Sequence, residues 1–193
     1  MENSIDCRGL KCPEPVIKTK KYFDKISEGE VVVIVDNEVA KNNVVKLSES
    51  SGFKSEVTND KGLFHIKVAK MQGQNSDVKT VGKRLTIVVS TDKLGVGDDM
   101  LGIALMKSYM FALSESDIIP ENMMFLNGGI KLTIESSEVL ESLNKLKDRG
   151  VNISSCGACL DFYDVKDKLA IGEISNMYTI IEKMNSADNT IKL

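Results

Sequence analysis

Tryptophan is absent from this 193-residue chain, histidine occurs once and proline three times. The single histidine, His65, alternates with Phe64, Ile66 and Val68 in a strand-like stretch, which places it on the wetter face of a sheet. A histidine-built metal site or a broad cysteine–histidine chemistry is therefore not available. No stretch approaches the roughly 18 apolar residues of a membrane span. Met1-Glu2-Asn3-Ser4 lacks the basic and apolar regions of a secretory signal, and Glu2 stands where a myristoylation motif needs glycine. These absences predict a cytoplasmic protein with no membrane partner. The net charge of −3 gives no one-signed field, so no nucleic-acid partner is expected. Hydrophobic content of 42% and charged content of 27% place the chain among ordinary globular proteins.

What is present is cysteine: Cys7, Cys12, Cys156 and Cys159. In a reducing compartment thiols serve reactive or metal-binding roles more often than structural disulfides. Four thiolates would suffice in number for zinc, but they fall in separate halves, so no metal is expected. The nine methionines read as core and interface filler.

The halves are separated at residues 71–83, where Gly73, Gln74, Asn75, Ser76 and Asp77 interrupt all periodicity and predict a linker. Residues 1–70 read β-α-β-α-β-β: a strand at 4–6, a helix at 13–27, an apolar strand at 31–35, a helix at 38–51 closed by Gly52, and strands at 53–58 and 63–69 around the turn Asn59-Asp60-Lys61-Gly62. Both helices on one face of the sheet give a two-layer α+β sandwich.

Residues 84–193 alternate strand and helix, which predicts a parallel sheet with helices on both faces, a three-layer α/β domain. Strands are expected at 85–90, 123–127 and 151–155, with weaker elements at 169–171 and 190–193. Helices are expected at 98–114, 136–149 and 176–184. In the first of these helices Leu101, Ala104, Leu105, Ser108 and Phe111 make one stripe, and Ile103, Met106 and Met110 lie on the other side. A helix apolar on both sides is deeply buried or is part of an oligomer contact.

Two of the three prolines stand in Cys12-Pro13-Glu14-Pro15. Pro13 suits the first helical position, which would make Cys12 the N-cap and aim backbone N–H groups and the helix dipole at its sulfur. Arg8 and Lys11 add positive charge, and Gly9 permits a tight loop. Each favours the thiolate, the nucleophilic form. The opposing reading is an inert, packed cysteine. The stretch Asp6-Cys7-Arg8-Gly9-Leu10-Lys11-Cys12-Pro13-Glu14-Pro15-Val16 resembles the signature of the TusA/SirA-type sulfur carriers, whose mark is Cys-Pro-x-Pro after a short strand and an Arg/Gly loop. The resemblance implies that Cys12 accepts a sulfane sulfur and passes it on. Cys7 either fills the strand end or resolves an adduct on Cys12 as a disulfide.

Cys156-Gly157-Ala158-Cys159 follows the third strand of the expected parallel sheet, at the end where chemistry gathers in such folds. A helix starting near Gly157 would put Cys156 at its start and Cys159 one turn in, able to close a disulfide. Two inert packed thiols are the alternative. Asn127-Gly128-Gly129 either makes a tight turn or shapes the pocket beside Cys156. Together with Ser90-Thr91-Asp92-Lys93-Leu94-Gly95 and Gly172-Glu173-Ile174-Ser175, these motifs are similar to the C-terminal half of long YedF-type selenium metabolism proteins, itself similar to the DsrE family. That resemblance implies a parallel α/β fold, frequent multimers and a strand-end cysteine that takes sulfur from a carrier, with Cys156 the better match and Cys159 the second.

The reading that follows is a sulfurtransferase-like chain. It would hold sulfur, or selenium, as a persulfide or selenosulfide on Cys12 and pass it to Cys156 or to a partner. No cofactor is required, because S–S or S–Se bonds are exchanged. The implied partners are a cysteine-desulfurase-type persulfide or selenide donor, a downstream acceptor, and further copies of the chain through the C-terminal domain. Two alternatives stay open: a dithiol redox protein or sensor built on Cys156 and Cys159, and a non-catalytic regulatory binding module.

Overall fold

The computed structural model describes residues 3–11, 13–71 and 84–193. Cys12 and nearly all of the expected linker lie outside the described residues. The chain divides into two compact units, Met1–Lys79 and Thr80–Leu193.

In the first unit β1 (Ser4–Asp6), α1 (Glu14–Asp24), β2 (Gly29–Val35), α2 (Glu38–Ser50), β3 (Lys54–Asp60) and β4 (Leu63–Lys70) follow the expected order. The sheet order is β1-β2-β4-β3; β1 runs parallel to β2, and the other pairs are antiparallel. Val31, Val33 and Val35 point to the covered face and pair with Val68, Ile66 and Phe64. Phe23 of α1 and Val44 of α2 pack on that same face. The other side of β2, Val32 and Ile34, is half-buried rather than sealed, so its unbroken apolar run marks a central strand covered on one face only. Thr19 and Ser48 are fully buried in the helices, and each hydroxyl donates to the carbonyl four residues back, Pro15 at 2.8 Å and Val44 at 3.0 Å. Burying these hydroxyls already bonded avoids the desolvation penalty of an unpaired group. Gly52, at φ +73°, ends α2 as expected, its N–H donating to Glu49 O at 3.0 Å.

The second unit contains β5 (Leu85–Val89), α3 (Asp99–Glu115), β6 (Asn122–Phe125), α4 (Leu140–Asp148), β7 (Asn152–Cys156), α5 (Gly157–Phe162), β8 (Glu173–Ser175), α6 (Met177–Ser186) and β9 (Asn189–Lys192). The five strands are all parallel in the order β8-β7-β6-β5-β9. Strand alternation splits the core: Ile87, Val89, Met123 and Phe125 meet α3 and α4, whereas Val88, Met124 and Cys156 meet Ile180 of α6. The chain steps from β5 to β8 in one direction and then crosses back to β9. A right-handed crossover in the reverse direction lands its helix on the opposite face, which is why α6 lies there.

Of the two apolar sides of α3, the buried one carries Gly102, Met106, Met110 and Ser114, while Met100, Leu101 and Leu105 on the other are 76%, 59% and 42% exposed. Gly102, on the same side as the buried methionines, lets α3 approach the Lys93 segment, where a Cβ would stand 3.0 Å from the Lys93 Cβ. Two expectations are corrected. The helix expected at 136–149 begins only at Leu140: Ile134 is bridged antiparallel to Leu169, and the chain then turns, Ser137 N–H donating to Ile134 O at 2.9 Å. The same bridge removes 169–171 from the sheet; Ala170 N–H donates to Thr133 O at 2.9 Å, and the edge strand is β8 instead.

Candidate functional site

The chain approaching Cys12 is tied down by two carboxylates. The Arg8 guanidinium grips Asp6 through Nε–Oδ1 at 2.9 Å and Nη2–Oδ2 at 2.5 Å. This pairing holds the Asp6 carboxyl at about 2, below its ordinary value near 4. Gly9, at φ +71°, donates its N–H to Asp36 Oδ2 at 2.7 Å; a Cβ there would meet nothing, so glycine is required by conformation and not by space. Asn37 beside it donates to Asp36 Oδ1 at 3.1 Å and caps α2 by accepting Ala40 N–H at 2.8 Å.

The helix start differs from the expectation. Pro13 is the cap, not the first helical residue, and its carbonyl accepts Ile17 N–H at 3.1 Å. Pro15 falls in the first turn and is buried. The two prolines leave Glu14 and Val16 as the backbone donors of residues 13–16, and Glu14 N–H donates to Lys11 O at 2.9 Å. Fewer amides face outward here than the motif implied, and the Arg8 charge is matched by Asp6. Lys11 is exposed. Cys7 is 0% exposed among Phe23, Val31 and their neighbours; its N–H extends the β1–β2 pairing to Ile34 O at 2.8 Å, and burial pushes its thiol up. No incoming group reaches it in the folded unit.

The second site lies at the carboxyl end of β7. Cys156 is the last strand residue and the cap of α5, 3% exposed, in the apolar cluster of Val88, Met124 and Ile180. Cys159, one turn on, packs against the same cluster but is only partly buried. The two cysteines stand at the start and one turn into the same short helix, beside one apolar cluster. Asn127 donates its backbone N–H to Cys159 Sγ at 3.1 Å. Burial and the neighbouring Cys156 push the Cys159 thiol above its ordinary value near 9, against the downward pull of that N–H. Asn127 holds φ +45°, and Tyr163 Oη donates to its side-chain oxygen at 2.9 Å. Gly129 is required sterically: a Cβ would stand 2.1 Å from Val89 O. Gly128 is not, since its nearest neighbour would be 3.8 Å away. The Asn127-Gly128-Gly129 segment opens a 3-10 turn and shapes the site beside Cys159 rather than beside Cys156.

Asp36 and Tyr163 were not singled out from sequence. Asp36 had a readable signal, as the residue before the Asn37 cap; Tyr163 had none. Among the described residues no cluster of three or more histidine, cysteine, aspartate or glutamate side chains could hold a metal ion, and no helix is long and apolar enough to cross a membrane.

The loop and strand–helix order of the first unit coincide with a family model described as "Sulfurtransferase TusA", which matches residues 3–70. A Methanocaldococcus jannaschii protein named as a putative sulfur carrier is 38% identical over 50 residues, 25% of this chain and 67% of that one. The chain belongs to the TusA sulfurtransferase family. A Bacillus subtilis protein, also named as a putative sulfur carrier, is 33% identical over 49 residues, covering 25% of this chain and 65% of its own length. The solved SirA-like protein from Desulfitobacterium hafniense is 33% identical, covering 36% of this chain and 97% of that one with a TM-score of 0.34. Beyond the TusA part, residues 118–193 match the DsrE/DsrF-like family model, leaving β5 and α3 outside the match although they complete the same unit.

Proposed function

We propose that this chain is a sulfur-relay protein in which Cys12 carries a sulfane sulfur, as a persulfide, to an acceptor thiol. The observation that carries the reading is the coexistence in one chain of a TusA part, residues 3–70, with Cys-Pro-x-Pro at its helix start, and a DsrE/DsrF-like part holding a thiol pair at a strand end. The donor is a protein persulfide of the cysteine-desulfurase type. The acceptor is the Cys156–Cys159 pair or a downstream protein. The YedF-like motifs extend the reading to selenium, carried as a selenosulfide.

The carrier step is balanced. Cys12 thiolate attacks the terminal sulfur of the donor persulfide, the donor S–S bond breaks, and the donor leaves as a thiolate. The Asp6–Arg8 clamp and the Asp36–Gly9 tie support a stiff approach to Cys12, and exposed Lys11 supplies positive charge for an incoming anion. Exposed Met100, Leu101 and Leu105 support contact between copies through the second unit.

The test is intact-mass analysis after incubation with a cysteine desulfurase and cysteine. A gain of one sulfur atom is expected, with the adduct on the Cys12 peptide and loading about 100-fold lower in Cys12→Ser. Undiminished loading of Cys12→Ser would refute the carrier role.

A further inference from the structure

The two units treat their second cysteine differently. Cys7 is sealed in the core of the first. In the second, Cys156 caps α5, Cys159 follows one turn on, and both residues pack on one apolar cluster. A thiol meets a persulfide in two ways: attack on the outer sulfur moves that atom to the attacker, and attack on the inner sulfur closes a disulfide and expels the outer atom. The second course is open to a neighbour in the same chain that can form the disulfide. A site built to store or hand on a sulfane sulfur gains nothing from such a neighbour. A site built to discharge it requires one.

We infer that the Cys156–Cys159 pair is a release device, in which Cys159 receives the chalcogen and Cys156 expels it as hydrosulfide, or as hydroselenide when selenium is carried. The inference rests on the sulfur-relay reading for its source of sulfane sulfur, and it assigns that relay an inorganic product rather than a protein persulfide. The order of the two thiols follows from access. Cys156 is 3% exposed behind α6, while Cys159 is partly open to solvent and meets an incoming persulfide first.

In the first step Cys159 thiolate attacks the terminal sulfur of the donor persulfide. The donor S–S bond breaks and the donor departs as a thiolate, leaving Cys159 as a persulfide. In the second step the Cys156 sulfur attacks Cys159 Sγ. A Cys156–Cys159 disulfide forms, the bond to the outer sulfur breaks, and its electron pair leaves with the outer atom as hydrosulfide; the Cys156 proton passes to that anion or to water. The sulfane sulfur is reduced by two electrons and the two thiols are oxidised by two. Return to the dithiol takes two equivalents of an external thiol reductant.

Asn127 is the positioning residue. Its N–H, 3.1 Å from Cys159 Sγ, stabilises negative charge on that sulfur during the attack on the donor. Its left-handed backbone is held by the Tyr163 hydroxyl and by the Gly129 segment that follows. The partners Val88, Met124 and Ile180 keep water from Cys156, so the expelled anion leaves toward the open side at Cys159.

The experiment uses the full chain carrying Cys12→Ser, reduced and desalted, with one equivalent of glutathione persulfide as donor. Hydrosulfide is trapped with monobromobimane, and the chain is read by intact mass. The expected result is close to one equivalent of hydrosulfide with loss of two hydrogen atoms from the protein, assigned to a Cys156–Cys159 disulfide. Cys156→Ser added to this background keeps the extra sulfur atom on Cys159 and releases about tenfold less hydrosulfide. Cys159→Ser shows neither adduct nor release above the donor blank. Undiminished release from the Cys156→Ser chain, a stable extra sulfur while Cys156 is present, or no disulfide would each overturn the inference. Because the donor bypasses residue 12, failure of the carrier reading appears separately, as missing desulfurase-dependent loading of Cys12.

Discussion

The two thiol regions are built on opposite principles. Around the TusA-type loop the fixed points are charges and backbone groups, Arg8 on Asp6 and Gly9 N–H on Asp36, all close to solvent. Around Cys159 the fixed points are apolar side chains and one amide, and the chain is held by close steric fit at Gly129. A loop held by solvated ion pairs presents a group outward at little cost in desolvation. A site held by packing raises the energy of any charge placed in it. The first arrangement suits meeting other proteins, the second suits a reaction between two neighbouring sulfurs.

The largest expected effect tests the steric half of that contrast. Gly129→Ala places a methyl group within bonding distance of Val89 O, a backbone atom that cannot turn aside. We expect a loss of about 3 kcal/mol or more in urea unfolding of the second unit. Gly128→Ala meets only ordinary contacts and is expected to stay within about 0.5 kcal/mol of the parent. Equal effects of the two substitutions would show that the segment is set by backbone conformation and not by packing.

Cys7 sharpens the contrast at smaller magnitude. Truncation by Cys7→Ala removes a buried sulfur from the first core and is expected to cost about 1 kcal/mol in stability. Sulfur loading from a cysteine desulfurase should not change. A fall in loading without a fall in stability would restore Cys7 as a resolving thiol and make the two regions alike.

Most of the architecture was legible because both hydrophobic periods are clean. The alternation of Phe64, Ile66 and Val68 marked a half-covered strand, and the strand–helix alternation after residue 84 marked a parallel sheet. What was not legible depended on partners remote in sequence. Leu101 and Met106 are both apolar, and the inward side of α3 is the one packed on Ile87, Met123 and the Lys93 segment, contacts that local sequence does not announce. The Ile134–Leu169 bridge joins residues 35 apart, and the chain turns after it where the pattern at 136–139 is helical. At the sites, the cysteines and the Asn127-Gly128-Gly129 segment stood out by residue type alone. Their ranking did not, because burial of Cys156 against Ile180 arises from a crossover that places α6 on the far face.

The Cys159 thiol gives a kinetic test of the packed site. Its ionisation lies above 9, with burial the leading cause, so iodoacetamide labelling at neutral pH should be slow. The rate is expected to rise about tenfold per pH unit and to keep rising beyond pH 9. A plateau below pH 8, read by peptide mass, would mean that the Asn127 N–H outweighs desolvation and that Cys159 is a poised thiolate.

The smallest effect belongs to the solvated loop. Asp6 has a folded value of about 2 against an ordinary value near 4, so the clamp on Arg8 favours the folded state above pH 4 and that contribution fades as pH falls through 2. Both partners are more than half exposed, so the global stability change is expected to be slight, and the readout must be local. Titration of the Asp6 side-chain carbon by NMR should give a midpoint near 2, with the Arg8 Hε signal shifting in step. A midpoint near 4 would mean that solvent has dissolved the clamp, and the loop ahead of Cys12 would then depend on the Asp36–Gly9 tie alone; Asp36→Asn should in that case loosen it far more than Asp6→Asn.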